Sequence, residues 1–419
     1  MTLRFASGVG LSVFGPTTTS LLSSATGKRP SLEKKDAASS ATSASFATRS
    51  NVVTRQVLTI GLLATSVLQA HAFDLSPKGT RYDRDAVKAW APSWLDGILS
   101  SLAEKGLPRF KQSVHEEITH RAYECNFEGV GICGNPDAEY ATPHVIAGVR
   151  WNDDPPFQLK SDQARGTSCK TTYADGRPMT IRFITQPRCW GELFLAAEKQ
   201  IKANPENAFN ATNQSALPLR SHFGDLQFIH SMASANGEYP AETRRKILSW
   251  AEFTWGVVSG DYQLGTWLKD VKLPVVEQFF GTSGWRVQEL FTLGDPSLRA
   301  HLGDIAFGSL LHMVEDSFAA GHVDRMEPAS GEKCGGSQHR APGPIQEFHS
   351  YTHQDSAKHA DADSRTAFVN NRLTPDVVDV GRTLIALRDA KAGWTEVGPY
   401  LECVYRLTPT ARNATAGNF

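Results

Sequence analysis

A histidine, a carboxylate and a second histidine stand at a chemically useful spacing in the run Leu310-Leu311-His312-Met313-Val314-Glu315-Asp316-Ser317-Phe318-Ala319-Ala320-Gly321-His322. Residues four apart lie on one helical face, one turn from each other, so His312 and Asp316 point the same way. Gly321 can end that helix and release His322 to a neighbouring position. Asp316 can then reach a metal ion beside His312, and His322 can reach the next one. Imidazole nitrogen and carboxylate oxygen are zinc donors, with Zn–N distances of about 2.0–2.1 Å. The competing reading of His312 and Asp316 alone is a buried hydrogen-bonded pair.

Thirteen histidines are present, and several more sit close to carboxylates. His115 lies in Ser113-Val114-His115-Glu116-Glu117, Asp153 in Gly148-Val149-Arg150-Trp151-Asn152-Asp153-Asp154, and His222 in Ser221-His222-Phe223-Gly224-Asp225. His349 and His353 lie in Glu347-Phe348-His349-Ser350-Tyr351-Thr352-His353. Each has a rival. His230 follows His222 by eight residues, roughly on the same helical face, and Asp154 follows Asp153. His359 with Asp363 is another pair at helical spacing and could replace His349 with His353. His120, His144, His301 and His339 are read as ordinary polar residues.

Taken in order, these segments resemble the ligand segments of the zinc-dependent phospholipase C family, which shares its fold with the fungal-type single-strand-specific nucleases. The resemblance spans Phe73 to about His359 but lives in five short segments, the run from His312 to His322 being the most specific. It implies an all-α protein, a multi-helix bundle of that type, holding about three zinc ions. By position it assigns Asp153, His222, His312 and Asp316 to one zinc. Asp316 would also bridge to a second, held by His115 and a processed N-terminus at Phe73. His322, His349 and a further group would hold the third. The chain departs from the family twice. The family's N-terminal ligand is usually Trp and lies nearer the His115 position; here Phe73 stands 42 positions before it. The family also carries a carboxylate four residues after the His349 position, where this chain has His353.

The activity so implied is phosphodiester hydrolysis by a zinc-bridging water, oriented or deprotonated by Asp153. The implied substrate is a phospholipid or another phosphodiester, met with peripheral contact at a membrane surface. A single-strand-specific nuclease of the same fold is the alternative. From another class, the alternative is a non-catalytic, metal-binding, secreted helical protein.

Amphipathic periodicity supplies the elements that must position these groups. Helices are predicted over 84–104, from a capping-box pattern at Ser113 and Glu116, and over 191–202, 240–258, 262–281, 298–319, 344–363 and 375–391. Residues 154–190 differ. They hold Pro, Gly and Cys, with Met179, Ile181 and Phe183 alternating with Thr180 and Arg182, and read as a disulfide-tied loop or small hairpin.

Upstream of Phe73 the chain does not read as folded protein. Residues 1–51 are rich in Ser, Thr and Ala. The apolar run from Val57 to Leu68, closed by Ala70-His71-Ala72, reads as a secretory signal cleaved before Phe73. The organisation is therefore a leader over 1–72 and a single helical domain over 73–419, secreted or periplasmic. Removing the leader's seven basic and two acidic residues leaves 36 basic and 42 acidic ones, a formal charge of −6. That balance argues against a stable nucleic-acid partner, which needs a basic surface. Six cysteines in an exported chain point to disulfides. Proximity favours Cys125–Cys133 and Cys169–Cys189, leaving Cys334–Cys403.

Overall fold

In a computed structural model, the described residues are Leu75, 112–123, 140–205, 208–335, 337–371 and 373–419. The chain divides into two units, Met1–Thr65 and Ser66–Phe419, and all described residues lie in the second. The leader, Phe73, the 84–104 helix and the Cys125–Cys133 pair lie outside the described residues.

The fold is mostly helical. Its centre is the helix Leu302–Asp316, here α8, which is buried on nearly every side. A helix whose apolar residues run all round it belongs inside other helices. Against it pack α2 (Pro143–Val149), α5 (Pro240–Ser259) and α11 (Val377–Asp389). The start of α2 follows from its sequence: Thr142 caps it by accepting from the Val145 amide, and Pro143 takes the first helical position, where its missing N–H costs nothing. The α2–α8 crossing is unusually close. A Cβ on Gly308 would fall 2.1 Å from the Val145 carbonyl oxygen and 2.5 Å from the Val149 nitrogen, and one on Gly148 would fall 2.2 Å from the Ile305 oxygen. The remaining helices are α1 (Val114–Ala122), α3 (Pro187–Ala203), α4 (Leu217–Phe223), α6 (Pro274–Phe280), α7 (Val287–Thr292), α9 (Ser356–Ala362), α10 (Arg365–Asn370) and α12 (Trp394–Val404).

The main core surrounds α8 and includes Trp250, Phe253, Trp255, Phe291 and Phe307. A smaller core of Phe157, Ile181, Phe183, Trp190, Phe194 and Phe223 sits beneath the loop of residues 154–190. That loop is hairpin-like, with antiparallel bridges Phe157–Ile181 and Thr172–Pro178 and a Cys169–Cys189 disulfide. A second disulfide joins Cys334 to Cys403. No helix among the described residues is long and apolar enough to cross a membrane.

Three expectations are corrected. Residues 344–363 are not one helix: Ile345–Phe348 form β2, antiparallel to β1 (Val323–Arg325), and helix resumes only at α9, capped by Asp355. Residues 262–281 are likewise broken, and helix begins there only at Pro274. Ser113 does precede α1 but makes no side-chain cap, because Glu116 turns instead to the buried Arg150 guanidinium 2.6 Å away.

Candidate metal centre

Asp316, at the last turn of α8, is the hub. Its Oδ2 lies 2.8 Å from His230 Nδ1 and 3.0 Å from His312 Nε2, and its Oδ1 lies 3.4 Å from His115 Nε2. His312 Nε2 and His230 Nδ1 are themselves 3.1 Å apart. All four residues are buried.

The far side of each ring settles which nitrogen carries the proton. A carbonyl or carboxylate oxygen can only accept, so the nitrogen facing it must be the donor. His312 Nδ1–H donates to the Val149 carbonyl at 2.6 Å, and His230 Nε2–H to the Asn152 carbonyl at 3.1 Å. His115 Nδ1–H donates to Glu315 at 2.6 Å, across 200 residues of chain, and the Thr119 hydroxyl holds that carboxylate's other oxygen. The inward nitrogens of the neutral rings are therefore lone pairs facing carboxylate oxygens. Such an arrangement is repulsive unless a cation, either a proton or a metal ion, sits among them. Metal-binding histidines characteristically donate their other ring N–H in this way.

Asp153 stands on the open side of this group. His222 Nε2 is 3.2 Å from its Oδ1, His230 Nε2 is 3.9 Å from the same oxygen, and His312 Nε2 is 4.0 Å from Oδ2. Asp154 points elsewhere, accepting from the Phe183 amide at 2.8 Å and so tying the disulfide loop to the ligand-bearing turn.

A further buried trio lies beyond His322, whose Nδ1–H donates to the His230 carbonyl at 2.7 Å. Its Nε2 faces Asp363 Oδ2 at 3.4 Å, and His359 Nε2 meets the same oxygen at 3.0 Å. His322 Nδ1 is also 3.8 Å from Asp316 Oδ1, so the two groups adjoin. Among the described residues, no hydrogen bond closes on Asp316 Oδ1, His322 Nε2 or either Asp363 oxygen. Three convergent sets emerge, each with ligand atoms within 4.8 Å: His115, His312 and Asp316; Asp153, His230 and His312; His322, His359 and Asp363.

The electrostatics follow from burial opposed by neighbours. Burial works to lower His115, but Asp316 and Glu315 overcome it and hold the ring well above the usual histidine range. Burial likewise opposes His322, yet Asp316 and Asp363 lift it to about 9. At His230 burial wins, pressing it down to about 4. Burial would raise Asp316, but His322, His312, His115 and His230 carry it well below the carboxylate range.

The chain matches no protein-family model, no curated protein and no solved structure. The chemistry is therefore carried by these side chains alone.

Of the residues singled out from sequence, the structure brings His115, Asp153, His312, Asp316 and His322 into the buried groups. His222 lies at the edge of them, its Nε2 3.2 Å from Asp153 Oδ1. The place beside Asp316 goes to His230, because α4 stops at Gly224. A Cβ at Gly224 would fall 2.1 Å from the Phe209 oxygen, so the chain turns there and His222 and His230 share no helical face. His230 instead ends a short 3-10 turn, and Ser231 follows at φ 54, held by its hydroxyl to the Met313 carbonyl. His349 is buried but faces Asp324 at 3.7 Å and not His322. His353 is exposed, with a left-handed φ of 71. β2 replaces the helix that would have aligned the two, and His349 instead joins Asp324 and Glu347 in a separate group able to hold a metal ion. His359 and Asp363, aligned by α9, stand where they were expected.

Proposed function

We propose that the chain is an exported, zinc-dependent phosphodiester hydrolase of the phospholipase C type, its fold the helical bundle of that family. The observation that carries this reading is the meeting of His230 and His312 at Asp316, with each ring's proton committed to a backbone carbonyl. The donor set fits zinc: imidazole nitrogens and carboxylates, with Asp316 Oδ1 and both Asp363 oxygens accepting no hydrogen bond from a described residue. Leaving such carboxylates uncompensated would cost several kcal/mol each. His115, Asp316, Asp153, His230 and His312 would hold two ions, and His322, His359 and Asp363 a third. The two disulfides agree with an oxidising compartment.

Bound zinc would polarise a phosphoryl oxygen and bring the pKa of a water toward about 7. The chain's own contribution is placement and proton handling. His222 brings Nε2 to 3.2 Å from Asp153 Oδ1 while its Nδ1–H donates to the Pro218 carbonyl at 2.5 Å, so this ring too would offer its lone pair to an ion beside Asp153. Asp153 Oδ2, 4.0 Å from His312 Nε2, is the oxygen that can take a proton from an attacking water. Asp153→Asn should lower turnover by about 10²–10⁴-fold while zinc content, by elemental analysis, stays within one ion of the parent. Unchanged turnover would remove Asp153 from the mechanism.

The acidic balance of residues 73–419 favours a lipid over a polyanionic nucleic acid. Parallel assays on phosphatidylcholine vesicles and single-stranded DNA separate the two. Hydrolysis of DNA alone would replace the lipid reading, and carefully purified protein with no zinc and no turnover would sink both.

Zinc must also compete with protons. His115 and His322, with raised pKa values, hold protons in the metal-free protein at neutral pH, whereas His230 does not. A zinc ion needs the lone pair, so uptake near pH 7 should release roughly two protons per chain. The apparent affinity should rise with pH through about 9, where His322 is half deprotonated, and keep rising while His115 still holds its proton. Calorimetric titrations in buffers of different ionisation enthalpy read this directly; uptake without proton release would contradict it.

A further inference from the structure

Two histidines that read from sequence as ordinary polar residues meet in the structure. His144 lies in the first turn of α2 and His301 immediately precedes α8, and their rings stack with centroids 3.4 Å apart and planes 4° from parallel. Asp304, in the first turn of α8, brings its Oδ2 to 3.6 Å from His301 Nδ1. The Arg388 guanidinium takes the other oxygen, Oδ1, leaving Oδ2 on the histidine side. One ligand atom from each of the three lies within 4.8 Å of the others.

We propose that His144, His301 and Asp304 form an accessory transition-metal site that clamps the start of α2 to the start of α8. The lone pairs of two stacked rings lie in parallel planes, so binding one ion requires both imidazoles to swing out of the stack about their side-chain torsions until their nitrogens converge. An N2O donor set selects copper, nickel or zinc over calcium and magnesium, which prefer all-oxygen sites. The site opens to solvent, since the His301 side chain is 41% exposed, so an ion enters without unfolding. His301 and His312 are eleven residues apart on the α8 axis, about 16 Å at 1.5 Å per residue. The accessory ion is thus separate from the buried centre. It braces the two helices whose close crossing brings the Val149 carbonyl to His312.

The test uses Cu2+, which such donors bind most tightly among the divalent first-row ions. Untagged protein is first saturated with zinc, and less than one equivalent of Cu2+ is then added. The electron paramagnetic resonance spectrum should show coupling to two nitrogens. His144→Ala and His301→Ala should each lose the two-nitrogen pattern, and Asp304→Asn should weaken Cu2+ binding about tenfold. Both histidines are only partly buried, so these variants should keep the parent's circular dichroism. Cu2+ should also raise the thermal midpoint of the parent and not of either alanine variant. A two-nitrogen signal that persists in His301→Ala, or a parent spectrum without one, would overturn the proposal. Neither readout involves hydrolysis, so the result stands apart from the proposed activity.

Discussion

Asp316→Ala should strip the protein of at least two of its roughly three zinc ions and lower turnover by on the order of 10³-fold or more. The carboxylate faces His230 and His312 with one oxygen and His115 with the other, so it stands between the set around His115 and the set around His230. Its removal also leaves His115 and His322 without the neighbour that most favours their charged forms. Breaking a buried ion pair from one side typically costs about 3–5 kcal/mol, and each 1.4 kcal/mol lost from transition-state stabilisation is about tenfold in rate. His359→Ala is the contrast, since that ring lies in the separate set with His322 and Asp363 and its loss should remove a single ion. Elemental analysis of the two variants decides the matter. Equal zinc content in both would mean that Asp316 does not bridge.

Gly308→Ala should be nearly as damaging, although no ligand is touched. In an ordinary helix interior the change would stabilise, because glycine is about 1 kcal/mol worse than alanine there. Here the added methyl carbon would fall 2.1 Å from one backbone atom of α2 and 2.5 Å from another. Backbone cannot yield as a flexible side chain can, so the helices must separate. Over-packing of this kind costs roughly 1–3 kcal/mol. It also draws the Val149 carbonyl away from His312 Nδ1, and losses of such supporting contacts weaken metal binding by about 10–100-fold. The expected result is a lower unfolding midpoint together with weaker zinc binding. A variant as stable as the parent would show that α2 and α8 do not need their close contact.

The heart of this arrangement was legible because it is local. His312, Asp316 and His322 lie in one run, and α8 aligns the first two by spacing alone. The helical class and the Cys169–Cys189 and Cys334–Cys403 pairs were legible for similar reasons, from periodicity and proximity. What escaped depended on where helices stop. His230 was passed over for His222 because the Ser221-His222-Phe223 segment resembles the family's, whereas the turn at Gly224, packed against Phe209, brings His230 beside Asp316. His349 and His353 were preferred to His359 and Asp363 because residues 344–363 were taken as one helix. Strand pairing with Val323–Arg325, a tertiary interaction, overrode that period. The stacked pair His144 and His301 left no trace in the sequence, since its members lie 157 positions apart.

The reach of the buried groups along the chain has a consequence for biogenesis. Their residues run from His115 to Asp363, and the closest supporting contact, His115 with Glu315, spans 200 residues. No contiguous fragment shorter than 249 residues contains them all. Zinc can stabilise a polypeptide only through the form that binds it, so the proposed ions could not nucleate this fold as they do in small zinc modules. They would arrive as a final rivet, after helices far apart in the sequence have found each other. Metal occupancy would then be a certificate of completed folding, and a chain cut short before Asp363 should bind fewer ions than the full chain.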